Sequence, residues 1–331
     1  MAALPRKARE RVVIASPTLA AANNGNWQTA SRWARILAGD FHVRIVPSWL
    51  GEDCDALIAL HARRSAPSVA AFAQAYPTRP LIVVLTGTDL YRDIRSDAGA
   101  QRSLALATAL VTLQDQGPAE LPAALRSRCH VIYQSARRLA PAGKPSRVLR
   151  VLQVGHLRHE KDPATYLRAA QRLAARQDIR FEHVGAGLDG ALAAAAAGTQ
   201  ARCPRYRWLG ALPHAATRQR IRRAHLLVNS SRMEGGAHVL LEAAQCGTAV
   251  LASRIAGNVG MLGPGHEGYF DVGDDAGLAA LIARARDDAG FLARLQAQTA
   301  ARAPLFDPGE ERRRLLHLLH TALETHHRER P

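Results

Sequence analysis

The chain has 331 residues, more than a single hydrophobic core usually serves, so two domains are expected. Hydrophobic residues make up 47% and charged residues 22%, which excludes a disordered chain, and no window approaches the run of about 18 apolar residues that would span a membrane. The formal net charge is +16, a field that attracts anions, but Lys and Arg are scattered without a long block, which argues against a nucleic-acid-binding tail.

Strand and helix signals alternate from the start. Arg11–Ser16 reads as a strand and Trp27–Ala38 as a helix, with Trp27, Ala30, Trp33, Ala34 and Leu37 on one face, Asn26 as N-cap and Gly39 as stop. His42–Pro47 and Ala56–Leu60 are strands and Ser65–Ala75 is a helix. Pro80–Leu85 is a buried strand, followed by the polar loop Thr86–Leu90. A helix, the strand Ala109–Leu113, a further helix to about Leu125 and the strand His130–Tyr133 follow. Gln134–Arg147 has two prolines, a glycine and several cations without periodicity, and reads as an interdomain linker.

The pattern then restarts. Val148–Gly155 is a strand, Pro163–Arg176 a helix, and Ile179–Gly187 a strand and loop. Ala191–Gly198 is helical, Tyr206–Gly210 a strand, Ala215–Ala224 a helix and His225–Asn229 a strand. A helix from about Gly236, the strand Ala249–Ser253 and a helix over Gly277–Asp287 close the set. Two successive β-α-β-α sets imply an α/β protein of two doubly wound, Rossmann-like domains facing a central cleft. They are placed at residues 1–144 and 145–305, with residues 306–331 a helix crossing back to the first domain.

The four cysteines, Cys54, Cys129, Cys203 and Cys246, form no C-x-x-C and lie at no metal-ligand spacing from a His. A disulfide framework and a zinc site are therefore not expected, and a reduced, cytoplasmic setting is. The apolar run near the N-terminus is too short for a signal peptide.

The sharpest motif is SSRMEGGAHVLLEAAQCG, Ser230–Gly247. Glu234 and Glu242 stand eight residues apart, with Gly235, Gly236, Ala237 and His238 between them. A helix starting near Gly236 would aim free N–H groups and a partial positive charge at a diphosphate. One carboxylate near that start and one two turns down could take hydroxyls on either side of it. The second motif is VGHLRHEKDP, Val154–Pro163. It puts Arg158 and Lys161 at the carboxyl end of a strand, where open α/β sheets bind ligands and where cations neutralise a leaving diphosphate. A third, HVGAGLD, sets Gly185 on a small loop of the kind that lines a nucleotide base. No Asp-x-Asp pair stands in a metal-binding context, Asp274 and Asp275 reading as a surface turn, so no metal is expected.

Gly155-x-x-Arg158-x-x-Lys161 and Glu234-x7-Glu242 resemble the retaining GT-B glycosyltransferases of family four, over about Val148–Arg286. The resemblance implies catalytic roles for Arg158, Lys161 and Glu234. It implies donor binding by Gly155, His156, Gly185, Gly235, Gly236, Ala237, His238 and Glu242, without metal or other cofactor. His156 stands where many members have an arginine. Together with TGTDLY and NNGNWQTASRWARIL, the motif VGHLRHEKDP is similar to the selenosugar synthases within that family. This implies a UDP-hexose donor, UDP-N-acetylglucosamine or UDP-glucose, and selenophosphate as acceptor, with no nucleic-acid partner and no stable membrane insertion.

An anionic acceptor needs converging neutral donors. Asn24, Gly25, Asn26 and Thr29 at a helix start, and Thr86, Gly87, Thr88 and Asp89 after the buried strand, are the candidates. Many family members keep a His near that second loop, and Thr86–Leu90 has none. A selenium already anionic needs positioning rather than a base, although Asp89 could serve a hydroxyl. Three alternatives are a family-four transferase with a lipid, hydroxyl or thiol acceptor, a sugar-nucleotide epimerase, and a non-catalytic basic binder of nucleotide or nucleic acid.

Overall fold

The computed structural model describes residues 9–17 and 25–328, and the chain divides into two compact units. One comprises the chain through Tyr133 together with the segment from Gly309; the other is Gln134–Pro308. Among the described residues no helix is long and apolar enough to cross a membrane.

The first unit carries strands β1 (Arg11–Ala15), β2 (His42–Val46), β3 (Ala56–Leu60), β4 (Leu81–Leu85), β5 (Ala109–Thr112) and β6 (Cys129–Val131). They form one parallel sheet in the order β2-β1-β3-β4-β5-β6. Its central strands ALIAL and LIVVL are buried at every position, as a parallel sheet covered on both faces requires. The helices are α1 (Gly25–Leu37), α2 (Ala66–Ala75), the single turn α3 (Ile94–Ser96) and α4 (Ala98–Leu106). Asn26 lies inside the first turn of α1 rather than capping it. The helix read up to Leu125 is instead two short 3-10 turns, Gly117–Glu120 and Ala123–Arg128, because Pro118 and Pro122 break the backbone ladder.

The second unit repeats the design with β7 (Leu149–Val154), β8 (Ile179–Val184), β9 (Tyr206–Trp208), β10 (Leu226–Asn229), β11 (Ala249–Ser253) and β12 (Tyr269–Phe270). Its helices are α5 (Pro163–Arg172), α6 (Gly190–Arg202), α7 (His214–Arg223), α8 (His238–Ala244), α9 (Ala256–Leu262), α10 (Asp275–Asp287) and α11 (Ala289–Ala301). All six strands are parallel, in the order β12-β11-β10-β7-β8-β9. Chain order therefore reverses between β7 and β10, which pair Leu226 with Val151 and Val228 with Gln153. Ligands of such sheets bind outside the carboxyl ends of the strands at that reversal. The presumed linker from Gln134 belongs to this unit. Leu139 N–H donates to Gln245 O at 3.0 Å, and Arg218 reaches Arg137 O at 2.7 Å.

The last helix, α12 (Pro308–Arg328), lays Leu315, Leu318, Leu319 and Leu323 against Trp33, Leu37 and Phe41 in the core of the first unit. The Trp33 indole N–H donates to Glu311 Oε1 at 2.8 Å within that core.

Candidate active site

The loops after β7 and β10 meet at the reversal point of the second sheet. After β7 the chain turns through His159–Lys161 and reaches Asp162 in the left-handed region, φ 42°. Asp tolerates this conformation, and Pro163 then starts α5 with its φ preset. The Asp162 carboxylate accepts from Thr165 Oγ1 at 2.9 Å and pairs with Arg232 at 3.1 Å. Ser230 ties the strands together: its hydroxyl accepts from Gln153 Nε2 at 2.7 Å and donates to Asp162 O at 2.8 Å. Lys161 is thereby aimed across to Glu234, and its ammonium donates to Glu234 Oε1, which also accepts from Ser231 Oγ at 2.6 Å. The Lys161 stem runs past Gly155, where a Cβ would meet it only in ordinary van der Waals contact at 3.5 Å.

Support for Glu234 comes from β11 and α9. Ser253 Oγ donates to Ser231 O, and Asn258 Nδ2 donates to Ser253 O at 2.9 Å. Gly257 lies so close that an added Cβ would be 1.9 Å from Glu234 O. Gly185 is likewise pressed on Gly155 O, at the same 1.9 Å for an added Cβ, so it sets the packing of two loops.

The expected helix across the glutamate motif is shorter than the spacing suggested. Gly235, Gly236 and Ala237 are loop, with Ala237 extended, and α8 begins at His238. Two glycines cost too much backbone entropy to open a helix without a side-chain cap. Glu234 therefore stands on the loop before α8 and Glu242 within α8. Glu242 is buried, its side chain 3% exposed, and accepts from His214 Nε2 at 2.6 Å. His238 Nε2 lies 3.6 Å and Arg218 Nε 3.7 Å from the same oxygen.

Arg158 is not drawn into the Lys161–Glu234 contact; it is 48% exposed, its nearest carboxylate being Glu160 at 4.0 Å. The Nδ1 of His156 accepts from Ala186 N–H at 3.0 Å. Burial, then the charges of Arg158 and Lys161, push its pKa below the ordinary value, so it adds no positive charge at neutral pH. The positive end of the site rests on Arg158 and Lys161.

In the first unit the loop Thr86–Asp89 is stapled from beneath. Asp89 is wholly buried; Oδ1 accepts from Thr86 N and Gly87 N, both at 2.9 Å, and Oδ2 from Ala62 N at 2.9 Å. With both oxygens so used, Asp89 holds the loop in shape from beneath. A histidine does reach this loop, from a place the sequence did not suggest. His61, following β3, is buried with φ 72°, and its Nε2 lies 3.0 Å from Thr88 Oγ1. Its Nδ1 lies 3.4 Å from Arg64 N–H, which suits the tautomer whose Nε2–H faces Thr88. Burial lowers its pKa and keeps it neutral. Nothing in chain spacing joins His61 to Thr88; only the pairing of β3 with β4 does. The absence of a His within the loop is therefore no argument about the acceptor.

At α1, Gly25 is exposed and open, while Asn26 and Thr29 are buried. Thr29 Oγ1 donates back to Gly25 O at 2.8 Å. Asn24 lies outside the described residues.

Two doubly wound parallel sheets, the second with polar and charged groups gathered at its reversal point, define the class of GT-B-like two-domain α/β proteins. The chain belongs to the family described as glycosyl transferases group 1, whose profile matches residues 137–302, half of its length. No curated protein matches it. Among solved structures it is similar to sucrose-phosphate synthase from Thermosynechococcus elongatus, with TM-score 0.78 and 16% identity over 96% of this chain and 100% of that one. It is also similar to HepE from Anabaena in complex with UDP and glucose, with TM-score 0.69 and 15% identity over 96% and 99%. A third is the pneumococcal O-GlcNAc transferase GtfA in complex with UDP and GlcNAc, with TM-score 0.66 and 17% identity over 81% and 57%. At these identities the likeness defines the fold.

Proposed function

We propose that the chain is a UDP-sugar-dependent glycosyltransferase that transfers a hexose to selenophosphate. The observation that carries the donor half is the Lys161–Glu234 contact at the reversal point of the second sheet. In this reading Lys161 is the cation for the diphosphate and Glu234, beside it, the carboxylate for the hexose hydroxyls, while Glu242 is a second carboxylate for the ribose. The UDP seen in HepE and GtfA supports the same donor nucleotide here.

The acceptor half rests on the resemblance of the Asn24–Gly25–Asn26 and Thr86–Gly87–Thr88 loops to those of selenosugar synthases. In this reading the exposed N-terminal turn of α1 and the Thr88 hydroxyl hold the phosphate oxygens. The selenium attacks the anomeric carbon while the bond from that carbon to the UDP oxygen breaks. Arg158 and Lys161 take up the charge on the departing UDP. The sugar–selenium bond forms with retention, and hydrolysis of the phosphorus–selenium bond then releases phosphate and the selenosugar.

Anaerobic incubation with UDP-N-acetylglucosamine, with and without selenophosphate, tests this by mass spectrometry. A selenium isotope pattern on the sugar, together with UDP, is expected only when both substrates are present. UDP release with no selenium in the product would replace selenophosphate with another acceptor.

A further inference from the structure

We propose that His214, His238 and Glu242 form a binding site for a divalent transition metal of the zinc class, and that occupancy takes Glu242 away from the nucleotide. The second clause rests on the ribose-binding reading of Glu242 given above; the first does not.

Two helix starts bring the groups together. His214 is the first residue of α7, and His238 the first of α8, with Glu242 one turn further along α8. One ligand atom from each lies within 4.8 Å of the others, and both Nε2 atoms face the same Glu242 oxygen, at 2.6 and 3.6 Å. Zinc holds imidazole nitrogen and carboxylate oxygen at about 2.0–2.2 Å, so its ligand atoms stand roughly 3–3.5 Å from one another. Rotation of His214, whose side chain is 63% exposed, closes the remaining difference.

The donor set selects the ion. Two imidazoles and one carboxylate leave a fourth position open and suit zinc, cobalt or nickel, whereas magnesium and calcium want oxygen ligands throughout. The buried carboxylate strengthens the attraction, because little water screens it. Arg218 opposes it with its own charge 3.7 Å from the carboxylate, though its Nη2 is committed to Arg137 O at 2.7 Å. His238 and Glu242 stand at i,i+4, but no chain spacing announces His214, which precedes His238 by 24 residues.

Untagged full-length protein, stripped with EDTA and desalted, is titrated with Zn²⁺ by calorimetry and with Co²⁺ by visible absorption. The wild type should bind zinc saturably and give the intense band of tetrahedral cobalt. His214→Ala and His238→Ala should each weaken zinc at least about tenfold and lose the band. His214→Gln can still donate to Glu242 but cannot ligate in the same way, and it keeps the test valid if an alanine variant melts early. UDP is then titrated with and without one equivalent of zinc. Zinc should weaken UDP binding at least about tenfold in the wild type and leave it unchanged in His214→Gln. Zinc binding that is absent, or equal in wild type and histidine variants, overturns the site. Zinc held through the histidines with no change in UDP affinity upholds the site, and overturns both the blocking and the ribose-binding role of Glu242.

Discussion

Lys161, from the loop after β7, donates to Glu234, from the loop after β10, and so joins the two sides of the point where strand order reverses in the second sheet. The pair does two jobs. It fixes the direction of a cation that, in the proposed reading, meets a diphosphate, and it holds in place a carboxylate that the same reading assigns to the sugar.

Lys161→Ala should therefore lower UDP-sugar turnover about a hundredfold, the usual cost of losing one charge-stabilising donor. Lys161→Arg should restore little of it, because the planar fork cannot reproduce a single ammonium contact. Steady-state release of UDP measures both; a Lys161→Ala enzyme with ordinary turnover would remove the residue from the site.

Gly257→Ala should act on Glu234 without touching any proposed ligand. The added methyl falls 1.9 Å from Glu234 O, so either α9 or the Glu234 loop must shift. Overpacking of this kind costs about 1–3 kcal/mol. Melting should show the loss of stability, and turnover should fall well beyond what partial unfolding explains. Loss of stability with full turnover would mean that α9 yields and Glu234 does not.

Much of this site was legible in the chain. The Glu234–Glu242 spacing, the Gly pair and the cations Arg158 and Lys161 are local patterns, and the alternation of strand and helix signals fixes two parallel sheets. What escaped was brought in by topology. Ser231 was visible three residues before Glu234 but carries no pattern of its own. Gly257, Asn258, His214 and His61 reach their partners only through strand pairing and helix packing. The over-extended α8 shows the opposite failure, in which a strong motif lent its regularity to a glycine loop.

Stability should fall in acid through His183. Burial pushes its pKa down from 6.5 to about 4, while its ring lies 3.2 Å from Gly155 O and from the Tyr206 hydroxyl. The unfolded chain takes up a proton there below about pH 6.5, and the folded one resists until about 4. The folded state is therefore favoured above that window and loses roughly 3 kcal/mol across it. His225, also pushed to about 4 by burial and then by Lys144, adds to the loss. Urea unfolding at pH 7 and 4.5 should show a smaller difference for His183→Asn than for the wild type; equal differences would place the acid sensitivity elsewhere.

His61→Gly should separate acceptor from donor. Glycine keeps the left-handed backbone at φ 72° without strain and removes only the imidazole that holds Thr88. The KM for selenophosphate should rise severalfold while UDP affinity stays unchanged. A loss of UDP affinity instead would assign this loop to the donor.

The central claim is that the second unit holds the nucleotide and the start of α1 does not. Calorimetric titration with UDP in the presence of EDTA tests it most directly, on wild type, Glu242→Ala and Asn26→Ala. The account predicts binding to the wild type without metal. Glu242→Ala should weaken it more than tenfold, since charge-assisted hydrogen bonds are worth about 1.5–3 kcal/mol, and Asn26→Ala should leave it as it was. No UDP binding by the wild type, or a loss caused by Asn26→Ala and not by Glu242→Ala, would contradict the account.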